Sequence, residues 1–174
     1  MPVVLTGIYR DNVAALLMRA DGAILIGECA EKPGTWSFPQ GGVDDGETRR
    51  EALVRELHEE VSLRPRDYKI LGFRCGYAYT YPEGKLKKGI YCGQIQTYFL
   101  CKLHGREPNP RLGSPKSPEF LRLLWVQPTK LDLGSFSFFK RDVTRRVLAD
   151  FFHISLPQEP EAEATTEMPS APTP

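Results

Sequence analysis

The chain has 174 residues, 41% of them hydrophobic and 26% charged, with a net charge of +1. Such a chain is long enough for one domain with a sizeable core, and its composition is that of an ordinary globular protein. No apolar run approaches the roughly 20 residues of a membrane-spanning helix, and the N-terminus shows no basic stretch followed by an apolar one, so neither a membrane anchor nor a secretory signal is expected.

In chain order, Val3 to Tyr9 reads as a short first strand. Asn12 to Met18 and Ala23 to Gly27 are apolar and flank Asp21-Gly22, a hairpin turn signal, so a β-hairpin is expected there. Lys32 to Thr35 is a loop. Trp36 and Phe38 alternate as in a short strand that Pro39 ends, and Gly41-Gly42 lets the backbone turn sharply towards a helix. Asp44-Asp45-Gly46 is a further turn, and that helix is expected over about 47–61, with Glu47 beginning or preceding it. Arg64-Pro65 closes that unit. Tyr68 to Tyr79 reads as one long strand or two, Tyr81 to Gly93 as a loop with Lys85, Lys87 and Lys88, and Gln94 to Leu103 as a central strand. Gly105 to Pro118 is rich in Pro and Gly and reads as loop; Phe120 to Val126 reads as a strand. Phe139, Val143, Val147, Leu148 and Phe151 have helical spacing, which predicts a second helix over 138–152. The order predicts a mixed α/β or α+β fold in one domain, 1–156. The remainder, 157–174, is Pro-rich and carries Glu159, Glu161, Glu163 and Glu167 with no Lys or Arg, so it is expected to be a disordered tail. That leaves the basic excess on the folded body, which suits a polyanionic ligand. Cys29, Cys75, Cys92 and Cys101 form no CxxC pair and predict plain thiols in a reducing, cytoplasmic setting.

The segment from Gly41 to Leu63 carries the chemistry. Five residues separate Gly41 from Glu47, and seven separate Glu47 from Arg55; next come Glu56, Leu57, His58, Glu59, Glu60, Val61, Ser62 and Leu63. On a helix, Glu56, Glu59 and Glu60 project together, while Leu53, Val54, Leu57 and Val61 form an apolar face. Small Ala52, one turn before Glu56, leaves room for an approaching group. Crowded carboxylates call for a cation, and an oxygen-only donor set suits hard Mg²⁺ or Mn²⁺, which also bind substrate phosphates. A bare ExxEE triplet is more often a solvated helix face, with Arg55 simply pairing with Glu59. The full spacing, however, resembles the Nudix box, Gly-x5-Glu-x7-Arg-Glu-U-x-Glu-Glu-x-Gly-U, where U is an aliphatic residue. One position departs: Ser62 stands where the family has Gly, at the helix end where a left-handed residue is favoured.

Other segments resemble one branch of that family, the RNA pyrophosphohydrolases and diadenosine polyphosphate hydrolases. They are Tyr9-Arg10-Asp11-Asn12-Val13, Trp36 to Gly42 (WSFPQGG), Gly93 to Leu100 (GQIQTYFL, with Tyr98 where the branch has Trp), Pro118-Glu119-Phe120, Trp125-Val126 and Phe139 to Val147 (FKRDVTRRV). The resemblance implies a Nudix fold, a mixed β-sheet sandwiched between helices. It implies that Glu56, Glu59 and Glu60 bind Mg²⁺ or Mn²⁺, that Glu119 assists as a fourth carboxylate, and that Arg55 orients a glutamate while Glu47 is structural. By residues alone, Glu119 at a strand start is more often an exposed charge. Gly41 and Gly42 would shape the loop at the site; Arg10, Ser37, Phe139 and Lys140 would contact the nucleotide. Without the resemblance, Phe139 as a stacking ring and Phe139 as core weigh about evenly. Tyr77, Tyr79 and Tyr81 are alternate residues that either stack a base or line one strand face.

The implied activity is metal-dependent hydrolysis of phosphoanhydrides. The expected substrate is the 5′ end of triphosphorylated or diphosphorylated RNA, converted to a 5′-monophosphate that opens the transcript to decay. A dinucleoside polyphosphate such as a diadenosine polyphosphate is the alternative, and a non-catalytic nucleotide- or RNA-binding module is a third reading. No DNA or membrane partner is implied. Neither a P-loop nor a Ser/His/Asp arrangement is present in the sequence.

Overall fold

The computed structural model describes residues 7–105, 110–113 and 118–157. A seven-stranded mixed sheet runs through the molecule: β1 (Ile8–Met18), β2 (Ile24–Cys29), β3 (Trp36–Ser37), β4 (Gln40–Gly42), β5 (Tyr68–Thr80), β6 (Tyr91–Leu103) and β7 (Phe120–Val126). The main path is β3-β2-β1-β6-β5, with β4 added to β1 and β7 to β2. β1 and β6 are parallel along their whole length; every other pairing is antiparallel. Two helices cover the faces, α1 (Arg49–Val61) and α2 (Arg141–Phe152).

β1 explains this layering. Successive strand side chains point to opposite faces, and over Val13 to Met18 both faces are covered, so that half of the strand is one apolar run. Val13, Ala15 and Leu17 join Leu53, Leu57 and Val61 of α1 in one core. Ala14 and Leu16 join Val143, Val147 and Leu148 of α2 in the other. Leu57 is fully buried, and truncating such a side chain to Ala typically costs about 2–5 kcal/mol.

Several boundaries differ from the sequence expectation. The first strand and the first arm of the hairpin are a single strand, Ile8–Met18, because β6 pairs with it throughout, with one register shift between Ile8 and Tyr9. Residues 3–6 lie outside the described residues. The hairpin joins β1 to β2 only at Met18 and Ile24; β2 then leaves to pair with β3 and β7. Gly41-Gly42 is not a turn but the strand β4, laid against Asn12 and Val13. β6 begins at Tyr91, inside the expected loop, where it meets Ile8 and Tyr9 of β1. β5 is one strand with two irregularities rather than two strands. The C-terminal helix starts at Arg141, preceded by a single 3-10 turn over Phe138–Lys140. Apart from Pro157, the expected acidic tail lies outside the described residues.

Helix α1 has strong local signals at both ends. It starts at Arg49 rather than Glu47 because Thr48 and Glu51 form a capping box: Thr48 Oγ1 accepts from Glu51 N at 3.2 Å, and Glu51 Oε2 accepts from Thr48 N at 2.8 Å. It ends at Ser62, which is left-handed at φ 59° and whose N–H bonds back to His58 O. Pro110 to Gly113 docks on this end, with Arg111 N donating to Val61 O and Gly113 N to Glu60 O. Ser62→Gly is expected to raise stability by about 0.5–1 kcal/mol, since a Cβ is disfavoured in that conformation, and to raise Tm by about 2 °C. Thermal melting checks this. An unchanged Tm would mean that the bond from Ser62 Oγ to Leu112 O, at 3.5 Å, offsets the backbone cost.

Candidate active site

The carboxylates of α1 do not present a uniform face. Glu59 is exposed, Glu56 is mostly covered, and Glu60 is only 5% exposed. The cause is β4, which passes over the helix at these residues. The backbone N–H of Gln40 donates to Glu60 Oε2 at 2.9 Å. Gly41 lies so close to Glu56 that a Cβ there would overlap the carboxylate, and a Cβ on Gly42 would overlap the Arg10 guanidinium. Both glycines are needed for close approach rather than for a turn. Ala52, expected to leave room at the site, is instead fully buried in the core under α1, where a larger residue would push the helix off the sheet. Val54, assigned to the apolar face, is only half-buried.

Arg55 ties the helix to the loop before it. Its Nε and Nη2 donate to the two oxygens of Glu47, each at 2.9 Å, and Nη2 also reaches Gly42 O at 2.9 Å. Nη1 donates to Glu56 Oε1 at 2.7 Å and to Glu59 Oε2 at 3.3 Å. Glu47 is therefore the anchor of the arginine, and the Arg55 guanidinium holds its carboxyl below the usual range. The Arg55 charge is in turn fixed more firmly, chiefly by the hydrogen bonds it donates to Glu47.

Burial pushes the Glu60 carboxyl well above its ordinary range, and the nearby charges of Glu56, Glu119 and Glu59 add to this; the Gln40 N–H only partly opposes it. Glu56 is raised as well, first by burial, with Arg55 opposing and Glu59 and Glu119 adding repulsion. Glu119, at the start of β7 and far from α1 in sequence, thus belongs to the same electrostatic cluster. Its backbone carbonyl is held by Ala30 N at 2.9 Å.

A cavity of about 360 Å³ opens over these groups. Of the residues expected at the site, Arg10, Ser37, Gly41, Gly42, Glu56, Glu59, Glu60, Glu119 and Lys140 line it. Arg55 stands behind them through its bond to Glu56. Phe139 lines an adjoining cavity of about 710 Å³ with Tyr79, Tyr81, Lys85 and Lys87. The two cavities share Cys29, Glu31, Gln40, Lys87, Gln94 and Lys140, so the carboxylate half continues into an aromatic and basic half. Phe139 packs against Tyr79 at 5.6 Å and Tyr81 at 6.1 Å between ring centroids. The Lys140 ammonium lies 5.3 Å from the Tyr79 ring centre, and burial pushes its pKa down to about 8. Tyr77 is not part of this half; it is core, and its hydroxyl donates to Asp150 at 2.7 Å.

Sequence reasoning missed Asn12, Cys29, Glu31, Gln40 and Gln94 in the cavity wall. Gln40 and Gln94 stand in the WSFPQGG and GQIQTYFL segments, so the signal was present, but an isolated amide carries no chemistry by itself.

The oxygen-only donor set, the negative charge that adds to burial in raising Glu56 and Glu60, and the space kept by Gly41 all fit a hard divalent cation. Among the described residues no three His, Cys, Asp or Glu side chains are already drawn around one point. Gly41→Ala is expected to drive Glu56 off its position and lower kcat/KM by about 10- to 100-fold, as disturbance of a ligand's support does, with the fold retained by circular dichroism. An Ala variant with wild-type turnover would show that Glu56 can work from another rotamer.

Comparison with known proteins gives the family. The model of the NUDIX domain matches residues 8–147. The chain belongs to the Nudix family. It is 38% identical to an RNA pyrophosphohydrolase of Francisella tularensis subsp. mediasiatica over 146 residues, 82% of this chain and 93% of that protein. It is 36% identical to an RNA pyrophosphohydrolase of Haemophilus influenzae over 160 residues, 87% of this chain and 79% of that protein. In three dimensions it resembles the crystal structure of a C. elegans Ap4A hydrolase, with a TM-score of 0.62 at 19% identity over 83% of this chain and 99% of that one. At that identity the likeness is one of fold, and it confirms the Nudix fold expected from the motif. Nudix hydrolases need divalent metal ions. Among the described residues no helix is long and apolar enough to cross a membrane, and Cys29, Cys75 and Cys101 are free thiols.

Proposed function

We propose that this Nudix hydrolase removes pyrophosphate or phosphate from the 5′ end of triphosphorylated or diphosphorylated RNA, leaving a 5′-monophosphate. The observation that carries the reading is the continuity of the two cavities: a carboxylate cluster suited to a phosphate chain opens directly onto an aromatic and basic wall suited to a nucleoside. Similarity to two RNA pyrophosphohydrolases over most of the chain supports RNA as the substrate.

In this reading Glu56, Glu59, Glu60 and Glu119 hold Mg²⁺ or Mn²⁺. When bound, such a cation neutralises the phosphate chain and makes water a better nucleophile. Arg10 and Lys140 bind phosphate oxygens, and Ser37 closes the wall beside Cys29, whose Sγ lies 3.5 Å from its hydroxyl. Phe139, with Tyr79 and Tyr81 behind it, offers a ring face to a base. A carboxylate of the cluster takes the proton of the attacking water. Arg55 keeps Glu56 oriented.

Hydrolysis of dinucleoside polyphosphates is the second reading, favoured by the same continuity, because these ligands also join a base to a phosphate chain. A paired assay at matched concentrations of 5′-triphosphorylated RNA and diadenosine tetraphosphate, with Mg²⁺ or Mn²⁺, separates the two. The expected result is a higher kcat/KM on RNA; a preference for the dinucleotide overturns the RNA reading, and silence on both supports a binding module instead. Lys140→Ala is expected to raise KM on RNA by about tenfold, the worth of one charge-assisted contact of about 1.5 kcal/mol, while leaving Mn²⁺ affinity unchanged. Unchanged kcat and KM would remove Lys140 from the substrate contacts.

A further inference from the structure

Behind the carboxylates runs a buried path of amides and hydroxyls. Gln96, in the middle of β6, is 1% exposed. Its Nε2 donates to Asn12 Oδ1 on β1 at 2.8 Å and to Gln40 Oε1 on β4 at 2.6 Å. Its Oε1 accepts from the Tyr98 hydroxyl at 2.9 Å. Tyr98 lies two residues along the same strand and so on the same sheet face. Its ring is held edge-on by Tyr77 and Phe38, at 5.3 and 6.1 Å between centroids. At the other end of the path, the Gln40 backbone N–H is the donor to Glu60 Oε2 at 2.9 Å.

The two ends of a glutamine amide have nearly the same shape and differ in hydrogen-bonding sense. Reversing Gln96, itself 1% exposed, would set its oxygen against the oxygens of Asn12 and Gln40, where each unmade bond is costly. The Tyr98 hydroxyl completes the orientation set by those two oxygens, giving its one proton to Gln96 Oε1. With the amide so set, Gln40 is tied to the sheet by its side chain. The short strand β4 then presents the Gln40 N–H to Glu60 and the Cα of Gly41 to Glu56.

We propose that Tyr98 is a positioning residue of the reaction: its hydroxyl, acting through Gln96 and Gln40, fixes the strand that orients the buried Glu60 carboxylate. This rests on the reading of Glu60 as a metal ligand. Tyr98 touches neither substrate nor reacting atoms.

Tyr98→Phe isolates the effect, since it keeps the ring and its stacking and deletes one O–H. Gln40→Ala cuts the same path at its other end on a half-buried side chain, without altering the backbone donor. For wild type, each single variant and the double variant, three quantities are measured: Mn²⁺ affinity of the metal-free protein by electron paramagnetic resonance titration, kcat and KM on 5′-triphosphorylated RNA at saturating Mn²⁺, and melting temperature. Tyr98→Phe is expected to weaken Mn²⁺ binding and lower kcat by about tenfold each, the low end of what outer-shell partners of a metal site contribute, with KM within about twofold. Gln40→Ala should do the same, and the double variant should be no worse than the more affected single one. A Tyr98→Phe protein with wild-type Mn²⁺ affinity and kcat overturns the proposal, even if it melts lower. So do losses that multiply in the double variant. A wild-type protein that neither binds Mn²⁺ nor turns over RNA overturns the site reading itself, an outcome visible before any variant is made.

Discussion

Glu60→Gln is expected to abolish most turnover while making the metal-free protein no less stable at neutral pH. Loss of an outer-shell partner costs a metal site about 10- to 100-fold, so loss of a proposed ligand should exceed 100-fold in kcat/KM. The stability half comes from burial. Glu60 is almost fully enclosed, has one N–H donor on one of its oxygens, and sits among Glu56, Glu59 and Glu119. Its folded pKa is raised, so its protonated form is the one the fold prefers. The stability tied to that proton is fully present below the ordinary carboxyl value of 4.5 and is lost as pH climbs through the raised folded value. Glu56 acts with the same sign. Asp21, Glu28, Glu47 and Glu51, whose carboxyls are lowered, act with the opposite sign around the ordinary value, so metal-free wild type should melt progressively lower once pH has passed above that range, and Glu60→Gln should flatten that slope. Added Mn²⁺ favours the ionised form and should raise the wild-type Tm most at the higher pH, with much less gain in the variant. Calorimetry from acid to neutral pH, with chelator and with Mn²⁺, reads both effects. Turnover within a few-fold of wild type would sink the ligand assignment, and parallel melting curves for the two proteins would sink the burial argument.

How much of this was legible in the sequence varies with how local each signal is. The carboxylates of α1 were legible because their spacing is short and repeats on one helix face. β1 was legible as an apolar run, but its parallel neighbour β6 was not, since that pairing joins residues about 84 apart, as between Asn12 and Gln96. The capping box of Thr48 and Glu51 was present in the letters and went unread beside the denser pattern of carboxylates after it. Gly41 and Gly42 were read as a bend, the commonest use of paired glycines. They serve instead in a strand whose missing side chains admit Glu56 and Arg10. Ala52 was read as a gap for ligand and is a contact surface for the core. Glu119 came only through the family resemblance, because nothing local ties a lone carboxylate at a strand start to a helix more than fifty residues earlier. Tyr98 showed as a departure from the branch's tryptophan, and its bond to Gln96 became visible only in the structure.

The same distinction between a charge and its geometry makes Arg55→Lys the other large effect expected. Lysine keeps the positive charge near Glu47, Glu56 and Glu59 but offers one rotating ammonium in place of a planar fork. Arg55 uses that fork fully: both oxygens of Glu47, the Gly42 carbonyl, Glu56 and Glu59 are reached by three nitrogens. A lysine can satisfy at most part of that set, so either the Glu47 and Gly42 anchor of the preceding loop or the orientation of Glu56 is given up. Arg55 is only partly exposed, as is Glu47, so the groups left over are not simply taken up by water. The expected outcome is a loss of about 100-fold in kcat/KM, the upper end for a group that orients a metal ligand, with a stability cost of about 1–3 kcal/mol for the unpaired acceptors. Urea unfolding gives the second quantity and steady-state kinetics on triphosphorylated RNA the first. A lysine variant that keeps wild-type kcat/KM would show that charge alone suffices at this position, and that the five directed bonds of Arg55 serve the fold and not the reaction.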